Sequence, residues 1–175
     1  LVPSGLIRLI KEDFNTGVDH SGAKLGQPTS FHVGAALNLD PPDAAREIRH
    51  LKGKLEAGAD FLLTQPVFDT KGALEFINCL KNEVAGFHIP LLVGILPLVN
   101  ARHAAFINNE VPGIQVPDIV LQRMEAAGEK GVAEGVRIAS DLIDEIKGGV
   151  AGVYLMPQFS RYDAVAELID KIRSA

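Results

Sequence analysis

Four short segments of this chain are apolar almost without alternation: "FHVGAALNL" (31–39), "FLLTQPVF" (61–68), "IPLLVGILP" (89–97) and "GVYLMP" (152–157). A strand with one wet face alternates polar and apolar residues. Runs that are apolar at successive positions predict strands buried on both faces, which is the signature of a parallel sheet covered by helices. The sequence between the runs carries helical spacing, and strict strand–helix alternation points to an α/β fold.

Each helix has readable ends. "SGLIRLIKEDFN" offers Ser4 as a cap, an apolar face of Leu6, Ile7, Ile10 and Phe14, and a stop at Asn15-Thr16-Gly17. After the first strand, Asp40 and Pro41 suit the cap and first position of a helix with Ala44, Ile48, Leu51 and Leu55 on one face and Gly58 as its stop. Asp69 caps a helix whose face is Ala73, Phe76 or Ile77, Leu80 and Val84. Asn100 caps "ARHAAFINNEV". Two further helices are predicted over 118–127 and 130–147, the second with Val132, Val136, Ala139, Ile143 and Ile146 on one side. Ser160 and Asp163 resemble a capping box opening a last helix with Tyr162, Val165, Ile169 and Ile172 on its face. The polar, glycine-rich segment 16–29 is long for a connection, so a lid and a plain connector both stand open.

An eight-stranded α/β barrel needs about 250 residues, and four strands in 175 residues fit half a barrel or a small doubly wound sheet. The pattern does not choose between them. The formal charge of -5 gives no broad attraction to phosphate backbones or anionic lipid, so neither nucleic acid nor membrane is expected as a partner. Cys79 is the only cysteine, which removes an intrachain disulfide and favours a reducing, cytoplasmic setting. No apolar run is long enough to span a membrane.

Ligands in parallel α/β folds bind beyond the carboxyl ends of the strands. Those ends hold Asn38, Thr64-Gln65, Gly94 to Pro97, and Tyr154 to Pro157. The set is rich in amides and poor in acids, without a Ser/His/Asp arrangement, a metal-ligand spacing or a phosphate-binding glycine loop. Gln65 is either an amide satisfying buried backbone at a strand end or a recognition group. Its donor and acceptor lie side by side, matching the edge of a pterin or nucleobase. Pro66, with no N–H to give the ladder, favours the second reading. His50, Lys52 and Lys54 read as a solvated helix face, and His103 is the best placed of five scattered histidines.

Taken together, "KLEAGADFLLTQPVFD", "IPLLVGILPLVN", "VPGIQVPDIVLQRM" and "GVYLMPQF" resemble, in order and at compatible spacings, the C-terminal half of flavin-dependent methylenetetrahydrofolate reductases. The type fused behind a homocysteine methyltransferase domain is the nearest in flavour. The resemblance implies strands five to eight of a TIM (βα)8 barrel, with 1–175 as one partial domain. It also implies FAD as cofactor and NAD(P)H as hydride donor. The implied reaction is reduction of 5,10-methylenetetrahydrofolate to 5-methyltetrahydrofolate, in one-carbon metabolism and methionine biosynthesis.

Residue by residue, the resemblance makes Gln65 the pterin-binding glutamine and puts Asn38, Glu47, His50 and Lys54 where the family contacts FAD. His103 falls where the family touches folate or nicotinamide, although glutamine is the usual residue there. Arg161 matches the arginine after the last strand across the short insertion Pro157-Gln158-Phe159. The family's ring-opening acid and its flavin-contacting aspartate lie on segments before Leu1, so no catalytic residue is expected in this chain and the fragment alone is expected to be inactive. It would join a second copy or the remainder of a parent chain. The alternatives are a non-catalytic pterin-binding or dimerisation half-barrel, or part of a bifunctional folate/homocysteine methyl-transfer enzyme.

Overall fold

A computed structural model describes residues 2–85, 87–158 and 160–174; Phe159 of the expected insertion lies outside them. The elements run α1 (Pro3–Arg8), β1 (Gly34–Leu37), α2 (Ala44–Glu56), β2 (Phe61–Pro66), α3 (Thr70–Glu83), β3 (Leu91–Ile95), α4 (Ala101–Glu110), α5 (Asp118–Ala127), α6 (Gly131–Ile146), β4 (Gly152–Leu155) and α7 (Tyr162–Ser174). All four strands are parallel, in the spatial order β1-β2-β3-β4.

That order answers what the pattern left open. A doubly wound sheet reverses its strand order at a switch point, whereas here each strand lies beside the next, as along an arc of a βα barrel. Right-handed crossovers that always step the same way put every connecting helix on one face, and burial agrees. Ala35, Leu37, Leu62, Val93 and Ile95 are buried in the core, while Gly34 and Ala36 are exposed and Leu63, Leu92 and Tyr154 are half-buried on the opposite face. The expectation of strands buried on both faces therefore holds for one face only.

Several local expectations shift for identifiable reasons. The first helix starts one residue earlier than Ser4, with Val2 as a cap that makes no side-chain bond and Pro3 at the first position, where its missing N–H is harmless. It then loosens into a π-turn segment, Leu9–Asp13, and ends at Gly17 with φ +94°. Leu6, placed on the apolar face by its spacing, is 49% exposed. The second helix is capped by Asp43, whose Oδ1 accepts from the Arg46 N–H at 2.9 Å, and not by Asp40. Asp40 and Pro41 each precede a proline, which disfavours helical backbone at both.

The Asp69 and Asn100 caps form as expected, accepting from Gly72 N and His103 N at 3.0 and 2.8 Å. On α3, Ile77 enters the core and Phe76 does not. On α7, Ala164 and Leu168 are buried while Tyr162, Ile169 and Ile172 face outward. Helical spacing alone does not say which of two adjacent stripes meets the core. Ser160 stands before α7 at φ +59°, and the Asp163 carboxylate lies on Arg161, so the expected capping box is absent.

Candidate functional site at the carboxyl ends of β1 and β2

The break in β2 that the sequence places at Thr64-Gln65-Pro66 is a register shift against β3 between Leu63 and Pro66. Thr64 bridges it. Its side chain is buried, with Oγ1 accepting from the Gly94 N–H at 3.0 Å and donating to the Gln65 carbonyl at 2.7 Å. The Tyr154 hydroxyl donates to the Thr64 carbonyl from the next strand but one. Burial pushes the Tyr154 phenol up, which keeps it a donor. This close meeting leaves no room at Gly94, where a Cβ would lie 2.8 Å from Met156 Cε and 3.1 Å from the Gln65 carbonyl. Thr64→Val keeps the shape but strips the partner from a buried N–H, so it should lower stability by about 1–3 kcal/mol. Thr64→Ser should retain most of it; urea midpoints of the two variants check this.

Held by its backbone in this way, Gln65 presents an exposed carboxamide that no described residue hydrogen-bonds. The reading of Gln65 as a buried structural amide is therefore not met. Asn38, at the end of β1, uses Oδ1 to accept from the Asp40 N–H at 2.9 Å, while Nδ2 and the Gln65 amide both approach Gly113 from the loop after α4. The two amides open into a cleft of ≈ 200 Å³ with apolar walls that include Pro41, Val67, Phe68 and Phe76.

Glu47, His50 and Lys54 share one face of α2 beside the open edge of β1. Glu47 Oε1 accepts from the Asn38 N–H at 3.2 Å. Lys54 Nζ donates to the Ala36 carbonyl at 2.7 Å and lies 3.8 Å from Glu47, with only 12% of its side chain exposed. This answers the choice between a solvated face and a binding face in an unexpected way. Lys54 and Glu47 satisfy the polar groups of an edge strand, while His50 stays exposed.

His103 and Arg161 lie apart from this cleft. His103 is 6% exposed, and its Nδ1 accepts from the Val99 N–H at 3.3 Å, locking the turn that starts α4. Burial pulls its pKa below the ordinary histidine value, which favours the neutral ring that this acceptor role requires. Arg161 forms a two-point pair with Asp163 at 3.0 and 3.1 Å beside a small crevice that includes Pro97 and Val99. Segment 16–29 leads into the amino end of β1, where the Asn15 side chain bonds Thr29 and Phe31, and so lies away from the strand ends that carry the cleft. Gly113 and Gln115, quoted only within a motif, and Phe76, read only as a helix face, carried no expected site role, and all three line the cleft. The Pro112-Gly113 turn signal and the motif that contains it were the available hints.

Residues 3–173 match the family model described as methylenetetrahydrofolate reductase. Methylenetetrahydrofolate reductase 2 of Schizosaccharomyces pombe is 26% identical over 158 residues, covering 85% of this chain and 24% of that protein. Methylenetetrahydrofolate reductase 2 of Saccharomyces cerevisiae is 33% identical over 122 residues, covering 69% of this chain and 18% of that protein. The chain thus spans a quarter or less of the length of either relative. A Clostridium thermocellum protein of known structure, described as binding two copies of 5-methyl-5,6,7,8-tetrahydrofolic acid, superposes with a TM-score of 0.62 at 14% identity, over 89% of this chain and 55% of that one. That likeness establishes the fold, a parallel α/β arrangement of the barrel kind. With its family model matched over nearly the whole chain, the protein belongs to the methylenetetrahydrofolate reductase family.

Proposed function

We propose that this chain is the C-terminal half, strands five to eight, of the barrel of a longer cytoplasmic enzyme. That enzyme reduces 5,10-methylenetetrahydrofolate to 5-methyltetrahydrofolate with FAD and NAD(P)H, and is of the type fused to a homocysteine methyltransferase domain. The observation that carries the reading is the pair of amides at adjacent strand ends. Gln65 offers an unengaged donor and acceptor, and Asn38 Nδ2, a group the resemblance assigns to FAD, lies beside it, in a chain of this family. A pterin ring presents a matching amide-like edge, and two bonds from one carboxamide fix its position and rotation together.

The flavin, when bound, supplies hydride transfer from the nicotinamide to the folate. In hydrogen-bonding character the α2 face suits such a dinucleotide: Glu47 as a carboxylate for ribose hydroxyls, His50 as an exposed ring, Lys54 as a cation. Because Lys54 already engages Ala36 and faces Glu47, it would meet a phosphate as a directed donor more than as a free charge. The work of this chain is positional. Thr64 and Tyr154 hold the Gln65 backbone, Gln65 holds the pterin, and the apolar cleft walls limit water around it. The acid of the reaction would come from the remainder of the parent chain.

The test is Gln65→Ala in the full-length polypeptide. Loss of two hydrogen bonds should lower folate turnover about 10- to 100-fold, while reduction of the flavin by NADH should change far less. Equal losses in both half-reactions would remove the assigned role of Gln65. The open inner face of the sheet, with Ala36 exposed and Leu63 and Leu92 half-buried, favours a second reading: a pterin-binding or assembly half-barrel completed by a second copy. Flavin uptake and NADH oxidation by the purified chain would rule that reading out.

A further inference from the structure

We propose that the turn Val111–Pro117, between α4 and α5, is the third wall of the heterocycle site, with Gly113 positioning its two amides and Gln115 contacting the ligand. The proposal rests on the reading of Gln65 above. A Cβ built on Gly113 would lie 3.2 Å from Gln65 Oε1, 3.5 Å from Asn38 Nδ2 and 3.6 Å from Gln65 Nε2. Its three nearest neighbours are thus all polar atoms of those two amides. Gly113 also sits at φ +78°, a backbone conformation that side chains rarely adopt. A residue from a distant turn therefore sets how far the Gln65 and Asn38 carboxamides can swing.

The turn is anchored. Ile114 and Val116 are buried in the core, and the Val116 N–H donates to Asn108 Oδ1 at 2.9 Å. Burial at 114 and 116 leaves 113 and 115 on the outer side, where both line the cleft. Gln115 thereby brings a third carboxamide to a site whose other wall already carries two. Asp40 and Asp69 also border the cleft, and Asp69 gives one oxygen to the Gly72 N–H. Carboxylates with no cation among the lining residues discourage an anion. Three amides and two acids instead suit a flat, uncharged heterocycle bearing amino groups, read along more than one edge. Gln65 fixes one edge of such a ring, and Gln115 distinguishes it from rings that lack a partner for the second.

Equilibrium binding of 5-methyltetrahydrofolate to the full-length polypeptide, with thermal midpoints measured alongside, tests this. Gln115→Ala, at an exposed position, should weaken binding about three- to tenfold with an unchanged midpoint. Gly113→Ala, which crowds both amides, should weaken it about tenfold or more. If both variants bind within about twofold of the parent while Gln65→Ala binds poorly, the third wall falls and the pterin reading stands. If Gln65→Ala also binds normally, the pterin reading itself has failed and takes this proposal with it. Should Gly113→Ala not fold, Gln115→Ala alone decides.

Discussion

Gly135→Ala is expected to destabilise the fold by about 3 kcal/mol or more, beyond the usual range for an overpacked core position. A Cβ at Gly135 would lie 1.8 Å from the Leu98 carbonyl oxygen, 2.7 Å from its carbon and 3.0 Å from its nitrogen. All three are backbone atoms, so no rotamer change relieves the contact. One turn earlier, a Cβ at Gly131 would lie 2.6 Å from the Val99 carbonyl oxygen. The first turns of α6 thus rest directly on the Leu98–Asn100 backbone, which leaves β3 and starts α4. Displacing that segment would disturb the Asn100 cap and the His103–Val99 lock, and through α4 the turn that reaches Gln65. Urea denaturation checks the prediction, with Gly148→Ala as control: a Cβ there meets nothing within 4 Å, and the change should stay within about 0.5 kcal/mol.

Asp60→Ala is expected to lower stability by about 2–3 kcal/mol at neutral pH, the scale of hydrogen bonds to a charged group. The Asp60 carboxylate takes both bonds of the Lys11 ammonium at 2.8 and 2.9 Å and accepts from the Val33 N–H at 2.6 Å. It joins the helical segment after α1 to the start of both β1 and β2. The Lys11 bond, helped by the Val33 N–H and opposed by partial burial, holds its pKa below the ordinary 3.8. A depressed folded value means that the stabilisation is complete above the unfolded pKa and is lost as pH falls through the folded one. The stability gap between the parent and Asp60→Asn should therefore be widest near neutrality and close below pH 3.8. A gap independent of pH would show that packing, not charge, makes the difference.

Legibility followed distance along the chain. Asp69 and Asn100 were readable as caps because a cap bonds an N–H three residues on, wholly within local sequence. Asp43 was missed through an equally local effect, two prolines holding Asp40 and Pro41 out of helical backbone. The outward stripe of Tyr162, Ile169 and Ile172 on α7 was misread as core because two neighbouring stripes have similar spacing, and it is Ala164 and Leu168 that are buried. At the site, Gln65 was legible from its place at a strand end beside Pro66. The place of Gly113 and Gln115 was not, because the amides that Gly113 approaches, Gln65 and Asn38, lie far earlier in the chain.

By itself the sequence determined four parallel strand units, their order along the chain, most helix limits and the break in β2 at Thr64-Gln65-Pro66. Each follows from interactions spanning a few residues: propensity, capping and the run of apolar side chains. The tertiary structure decided that the strands lie in sequential order with one face left open, and that Thr64 bridges to Gly94 across the register shift. It also decided that Lys54 and Glu47 turn to the edge of β1, and that Gly113 stands over Gln65 and Asn38. These contacts join residues brought together only when the sheet and its helices pack. No local preference encodes them, since their stabilisation exists only in the assembled fold.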